Sequence, residues 1–374
     1  MKNVIKKVLS LALVGMMVFS LAACTSGETK TEDKSSSESK ESGKSDNKKI
    51  GVAMPTKDLQ RWNQDGENMK KELEEAGYEV DLQFANNDIA TQVSQIENMI
   101  TGGCGMLVIA SIDGTALSEV LEKAKSADIP VIAYDRLIMN SDAVSYYATF
   151  DNEAVGRMQG EYIEEKLDLK NQAGPFNIEL FTGSSDDNNC VFFFGGAMEV
   201  LQPYIDEGKL VVQSGTDTTL AACATPNWST EEAQKRMENI IAKSYTGGTK
   251  LDAVLSSNDS VANGITNALV GAGYTADDFP ILTGQDCDIT AVQNILKGLQ
   301  SMSIFKDTRD LAAQVVTMVD SIMKGEEPEV NNTNDYDNGT GIVPTYLCTP
   351  VFADKDNYSE LLIDSGYYTE DQLQ

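Results

Sequence analysis

The chain has 374 residues, 29 Lys+Arg against 58 Asp+Glu, a formal net charge of −29, and no histidine. At about 150 residues per domain the length implies about two domains, and 41% hydrophobic content supports packed cores. The acidity excludes a phosphate-backbone binder, and the missing histidine excludes Ser-His-Asp or Cys-His nucleophilic catalysis and every His-ligated metal site.

Residues 1–24 begin with Lys2, Lys6 and Lys7, continue through an apolar run from Val8 to Phe19, and end in Leu21-Ala22-Ala23-Cys24. An apolar run this short fits a signal peptide rather than a bilayer-spanning helix. The ending resembles the lipobox of bacterial lipoproteins. That likeness implies a lipidated Cys24 as the mature N-terminus and an extracytoplasmic protein anchored to the membrane. The alternative is an ordinary secretion signal with an incidental cysteine. Residues 25–49 carry seven serines, six acids and six lysines, which cannot bury a core and predict a flexible tether. No later segment approaches the ~20 apolar residues of a membrane span.

From Ile50 onward, short apolar runs alternate with helix-like segments. Strands are predicted at 50–54, 80–84, 106–110, 131–134, 176–181, 210–213, 253–255, 281–283 and 303–305. Helices are predicted at 64–76, 90–101, 116–127, 152–167, 231–244, 260–271 and 307–324. In the first helix Met69, Leu73 and Ala76 recur at helical spacing, with Gly77 at the stop position. Such alternation implies parallel sheets covered by helices on both faces, and such sheets bind ligands at the carboxyl ends of their strands.

The residues at those ends are polar and of few kinds. Arg61-Trp62 follow the first run, Asp135-Arg136 the fourth, and Asp187 and Asn189 the fifth. Asn258, Asp286 and Lys306 follow the last three. Planar Asp, Asn and Arg side chains fix two hydrogen bonds at once and suit sugar hydroxyls, which both donate and accept. The two tryptophans, Trp62 and Trp228, fall one in each half in loop-like contexts, and an indole stacks on the apolar face of a pyranose. Taken singly, each residue has a plainer reading. Asp and Asn after strands cap helices, Arg136 fits a surface ion pair, and Trp62 fits a core position at a helix start. Capping gives no reason for both tryptophans to join the set.

These residues, with Ser94-Gln95-Ile96-Glu97-Asn98-Met99, Ala133-Tyr134-Asp135-Arg136-Leu137-Ile138 and Ile304-Phe305-Lys306-Asp307-Thr308-Arg309, resemble the periplasmic-type sugar-binding proteins of ABC importers. The likeness is to the ribose, galactose and xylose group, nearest its multiple-monosaccharide-binding branch, and covers residues 50–374. It implies an α/β, type I periplasmic-binding-protein fold: two doubly wound parallel-sheet lobes joined by a three-strand hinge. The N-terminal lobe is expected at 50–150 plus 307–341, and the C-terminal lobe at 151–306 plus 342–374. It also implies that Arg61, Trp62, Asp135, Arg136, Asp187, Asn189, Trp228, Asn258, Asp286 and Lys306 bind a monosaccharide, an aldose such as glucose, galactose, arabinose or xylose. The lobes would close on it and dock on an ABC permease. Ser185, Cys190 and most of 214–227 depart from the family pattern.

No cofactor, metal or nucleic acid is implied, no catalysis, and a monomer is expected. Two rivals use the same residues: a sugar sensor presenting its ligand to a membrane signalling receptor, and a carboxylate-based glycosidase built on Asp135, Asp187 and Asp286. The glycosidase gives no reason for the ordered motifs. A sugar-responsive regulator would need a basic helix-turn-helix where the serine-rich tether stands. Cys104, Cys190, Cys223, Cys287 and Cys348 lack CxxC spacing and are odd in number. They are expected to be buried free thiols, with a Cys190–Cys223 bond left open.

Overall fold

The computed structural model describes residues 48–374. The expected signal segment, the expected lipidation site at Cys24 and nearly all of the expected tether lie outside the described residues.

The first sheet is built from β1 (Lys49–Met54), β2 (Glu79–Phe84), β3 (Met106–Ile109), β4 (Val131–Tyr134) and β5 (Val144–Phe150). The second comprises β6 (Phe176–Phe181), β7 (Leu210–Val212), β8 (Ala253–Ser256) and β9 (Ile281–Leu282). Then follow β10 (Met302–Phe305), β11 (Thr345–Cys348) and β12 (Val351–Asp354). The sheet orders are β11-β5-β4-β3-β1-β2 and β7-β6-β8-β9, with β10 and β12 paired separately. Every neighbour in the two large sheets is parallel, while β10 and β12 run antiparallel. β3 and β4 are buried along their whole length, as strands covered on both faces must be.

The covering helices are α1 (Gln60–Glu75), α2 (Ile89–Thr101), α3 (Ser118–Ser126), α4 (Asn152–Lys166), α5 (Asn189–Asp206) and the short α6 (Leu220–Cys223). They continue with α7 (Thr230–Ser244), α8 (Asp259–Gly271), α9 (Ile289–Leu296), α10 (Thr308–Lys324) and α11 (Glu370–Leu373). Leu311, Val315 and Met318 of α10 share a core with Ile50 and Val52 of β1, so the chain returns to the first sheet after β10. It crosses between the halves after β5, after β10 and after β11, which is the doubly wound two-lobed α/β architecture that the sequence implied.

Two expectations are corrected. Thr345–Cys348 was assigned to the C-terminal lobe but pairs with β5, from Thr345 beside Tyr147 to Cys348 beside Phe150. Its side chains explain this: Leu347 packs into the core on one face of the first sheet, and Tyr346 and Cys348 into the core on the other. Helix α1 begins at Gln60 rather than 64, so Arg61 and Trp62 sit on its first turn and not in a loop. The five cysteines within the described residues are all free, Cys190 and Cys223 included, and all but Cys348 are buried. No described helix is long and apolar enough to cross a membrane.

Candidate functional site

The carboxyl ends of both sheets open onto one cavity, whose empty volume of about 300 Å³ includes the solvent at its mouth. All ten residues singled out from the sequence line it. Arg61 and Trp62 reach it from α1, and Asp135 and Arg136 from the end of β4. Asp187 and Asn189 come from the β6–α5 junction, Trp228 from a turn before α7, and Asn258, Asp286 and Lys306 from the ends of β8, β9 and β10. Leu59, Phe193 and Gln285 complete the lining. Sequence reasoning missed these three. Phe193 lies one helical turn after Asn189 and so shares its face, and Gln285 adjoins Asp286 in the same post-strand loop.

The charges alternate. The Arg61 guanidinium lies 2.7 Å from Asp65, 2.9 Å from Asp135 and 3.5 Å from Asp286. Lys306 Nζ is 3.0 Å from Asp286 and 3.9 Å from Asp135. Arg136 Nε is 2.9 Å from Asp187, while its Nη1 donates to the carbonyls of Ser111 and Ile112. Three cations thus meet three carboxylates on the cavity wall. Burial alone would raise the Asp135 carboxyl, but Arg61, Lys306 and Arg136 outweigh it and hold it below the usual carboxylate range. At Asp187 burial wins over Arg136, with Asp135 adding to it, and that carboxyl is raised. Burial opposes the charge on Arg61, yet Asp135, Asp65 and Asp286 prevail and lift it well above the ordinary arginine value.

The backbone is strained where it presents these groups. Asp135, Trp228 and Asp286 have φ of 59°, 56° and 93°, left-handed values that cost about 1–3 kcal/mol each and persist only where their surroundings fix them. Asp135 is fixed through its main chain. Its N–H donates to the Ala148 carbonyl at 2.8 Å. Its carbonyl accepts from Tyr147 Oη at 2.6 Å, Thr149 Oγ1 at 2.9 Å and Asn189 Nδ2 at 2.7 Å.

The aromatic residues divide their roles. The Trp228 ring rests directly on Gly183, where any Cβ would overlap it. Its Nε1 donates to Asp187 at 3.3 Å, and Phe193 meets it edge-on at 6.2 Å. Trp62 belongs to the core of the first sheet as well as the cavity wall. The guanidiniums of Arg61 and Arg136 stand 4.5 and 5.1 Å from its ring, close enough for cation–π attraction. Capping and lining coexist at Asn258: its Oδ1 takes the Val261 N–H at 3.0 Å and caps α8, leaving the amide NH2 for the cavity. Asn189 spends its amide on the protein, donating to Asp135 and accepting from Tyr147 Oη at 3.0 Å.

Several buried polar atoms of the wall have no hydrogen-bond partner: Arg61 Nη2, Trp62 Nε1, Asp135 Oδ2, Arg136 Nε and Gln285 Oε1. The arginine and aspartate atoms touch their ionic partners, but the N–H directions miss, so Coulomb attraction is gained and the directional bond is not. Such atoms are costly to bury unfilled. The set contains both donors and acceptors.

Comparison with known proteins follows the same line. The periplasmic binding protein domain matches residues 50–327. The multiple sugar-binding periplasmic receptor ChvE of Rhizobium radiobacter is 53% identical over 327 residues, 87% of this chain and 92% of that protein. The D-xylose-binding periplasmic protein of Escherichia coli K12 is 36% identical over 325 residues, 87% of this chain and 92% of its own length. An ABC transporter solute-binding protein from Clostridium phytofermentans, crystallised with bound β-D-glucose, is 68% identical. It superposes with a TM-score of 0.86 over 87% of this chain and 100% of that one.

Proposed function

The chain belongs to the periplasmic binding protein family, and on that premise we propose that it captures a monosaccharide, an aldose such as glucose, galactose, arabinose or xylose, and delivers it to an ABC permease. The observation that carries this reading is the set of unfilled buried donors and acceptors on a wall whose three cations are already matched by three carboxylates. The ligand class it favours is neutral overall, rich in groups that both donate and accept, and apolar on its ring faces. A sugar meets all three conditions. Its hydroxyls fill Arg61, Asp135, Arg136 and Gln285, and Asp187, Asn258, Asp286 and Lys306 add further polar contacts. Its C–H faces meet Trp228, Phe193 and Trp62.

Ligand binding and closure are one event in this reading. Arg61 rides on the first lobe and Asp286 on the second. A sugar touching both stabilises the closed arrangement because it makes both sets of contacts only there. We assign the lobes as 50–150 with 307–348, and 151–306 with 349–374, moving the third crossing past β11. Tethering through a lipidated Cys24 completes the proposal: anchored outside the membrane, the protein stays near its permease. No covalent step is needed. A glycosidase pairs a carboxyl kept protonated as acid with a second, free carboxylate as nucleophile or base; burial raises Asp187, but Asp135 and Asp286, the carboxylates left to serve beside it, are each tied to a guanidinium and an ammonium group.

Isothermal titration calorimetry on residues 48–374, with glucose, galactose, arabinose, xylose, ribose, fructose and glucuronate, tests the reading. Saturable binding of one or more aldoses is expected, with no hydrolysis of nitrophenyl glycosides. Absence of heat with every sugar overturns it.

A further inference from the structure

Asp259, the first residue of α8, is completely buried and is not part of the cavity wall. Its carboxylate nevertheless gathers three segments. Ser303 Oγ donates to it at 2.8 Å, Gln300 Nε2 at 2.9 Å and the Asp288 main-chain N–H at 2.9 Å. The Asp259 N–H in turn donates to the Gln285 carbonyl at 3.0 Å. The loop after β9 passes so close that a Cβ on Gly284 would overlap Asp259 Oδ1. Ser303 Oγ also accepts the Cys287 N–H at 3.0 Å.

Each of these segments carries a residue of the cavity wall. Asn258 precedes Asp259, Asp286 lies two residues before Asp288, and Lys306 lies three after Ser303. The loop bearing Asp286 holds two successive non-glycine residues with positive φ, Asp286 at 93° and Cys287 at 50°, a conformation that persists only when its surroundings over-determine it. Helix capping does not account for Asp259, because Asn258 already supplies the N-cap oxygen.

We propose that Asp259 is a positioning residue, a buried clamp whose carboxylate sets Asn258, Asp286 and Lys306 in register with one another. The chemistry requires an acceptor at both oxygens. Gln300 and the Asp288 N–H are fixed donors, one on each oxygen, so an asparagine satisfies only one of them in either orientation. The link from clamp to ligand affinity rests on the sugar-binding reading above; the link from clamp to loop does not.

The experiment therefore has two arms. Amide hydrogen exchange without sugar reads the loop, and glucose calorimetry reads the site in wild type, Asp259→Asn, Asp286→Ala and the double variant. In Asp259→Asn, exchange at residues 286–288 is expected to quicken by about tenfold or more, and glucose affinity to fall about tenfold. The double variant is expected to lose clearly less than the sum of the two single losses, because part of the clamp's effect acts through Asp286. Unchanged exchange in the loop, or losses that simply add, overturns the proposal. Should Asp259→Asn fail to fold, Ser303→Ala removes one donor and is expected to show the same pattern at smaller amplitude; its absence there overturns the clamp equally. Wild type that binds no glucose counts against the sugar reading, while the exchange arm still judges the clamp.

Discussion

Asn189 Nδ2 donates to the main-chain carbonyl of Asp135 at 2.7 Å, joining a helix of the second lobe to the backbone that carries a carboxylate of the first. The same carbonyl already has two donors from its own sheet, Tyr147 and Thr149, so the contact from Asn189 adds to an arrangement that stands without it. A bond of this kind contributes to closure rather than to the fold of either lobe. Asn189→Ala is expected to weaken sugar affinity about tenfold, consistent with the loss of one buried hydrogen bond. The unliganded melting temperature should move by no more than about 4 °C. Calorimetry and a thermal melt check the two halves of this expectation.

Asp135 itself is the centre of the charge arrangement, facing both Arg61 and Lys306. Asp135→Asn is the informative substitution, since asparagine tolerates the left-handed φ and keeps the shape. It leaves two buried cations with one partner fewer, a loss of several kcal/mol where charges are enclosed. Affinity for the preferred sugar is expected to fall about a hundredfold or more in calorimetry. Unchanged affinity would mean that the cavity described here is not where sugar binds.

Acid should stabilise the unliganded protein. Burial raises the Asp65 carboxyl to about 6, although Arg61 pulls against it. Burial, with Asp286 adding, raises Asp288 to about 7. Both values lie above the ~3.9 of an unfolded aspartate. Between pH 7 and pH 4 the folded state therefore binds protons that the unfolded state does not, and stability rises as pH falls through that window. The melting temperature without sugar is expected to increase from pH 8 to pH 5.5. Asp288→Asn should flatten part of the rise. A melting temperature that falls steadily over the same range would contradict the assignment.

Gly183 gives the Trp228 indole its seat, with no room for a Cβ between them. Gly183→Ala is expected to push the ring out of the cavity wall and break its bond to Asp187. Because Trp62 and Trp228 are the only tryptophans, a Trp62→Phe background isolates the signal. The emission of Trp228 should shift to the red as the indole meets water, and sugar affinity should fall about tenfold with the lost stacking and hydrogen bond.

Ten of the residues lining the cavity were legible, most because parallel sheets bring strand ends together whatever the connections between them, and Trp228, which follows no strand, through the family resemblance. Trp62 shows where that logic blurred. Leu59 caps α1 without a side-chain hydrogen bond, so no Ser, Thr or Asp announced a helix starting at Gln60, and a residue of the first turn read as loop. β11 was assigned to the wrong lobe because four residues near the C-terminus carry no signal for which sheet they join; packing of Leu347 and Tyr346 on the first sheet decides that. Helix α5 went unread altogether. Gly195, Gly196 and Pro203 lie inside it, and each argues against a helix on propensity alone.

Gly196, with Gly156 of α4, belongs to the contact between α4 and α5. A Cβ on Gly156 would overlap the Phe193 carbonyl, and one on Gly196 the Glu153 carbonyl, so the two backbones approach where only glycine fits. Tertiary contact thus overrides local preference, as it does wherever helices cross on small residues. Gly156 has an ordinary helical conformation, so alanine there improves local propensity by about 1 kcal/mol while forcing the helices apart. Overpacking of this kind costs about 1–3 kcal/mol, and the backbone on the far side cannot move aside as a flexible side chain would. Gly156→Ala is therefore expected to lower stability by about 1–2 kcal/mol net in urea unfolding. It should also weaken sugar binding, since α5 carries both Asn189 and Phe193 into the cavity. A more stable Gly156→Ala protein would show that propensity, not the approach of the two backbones, governs this position.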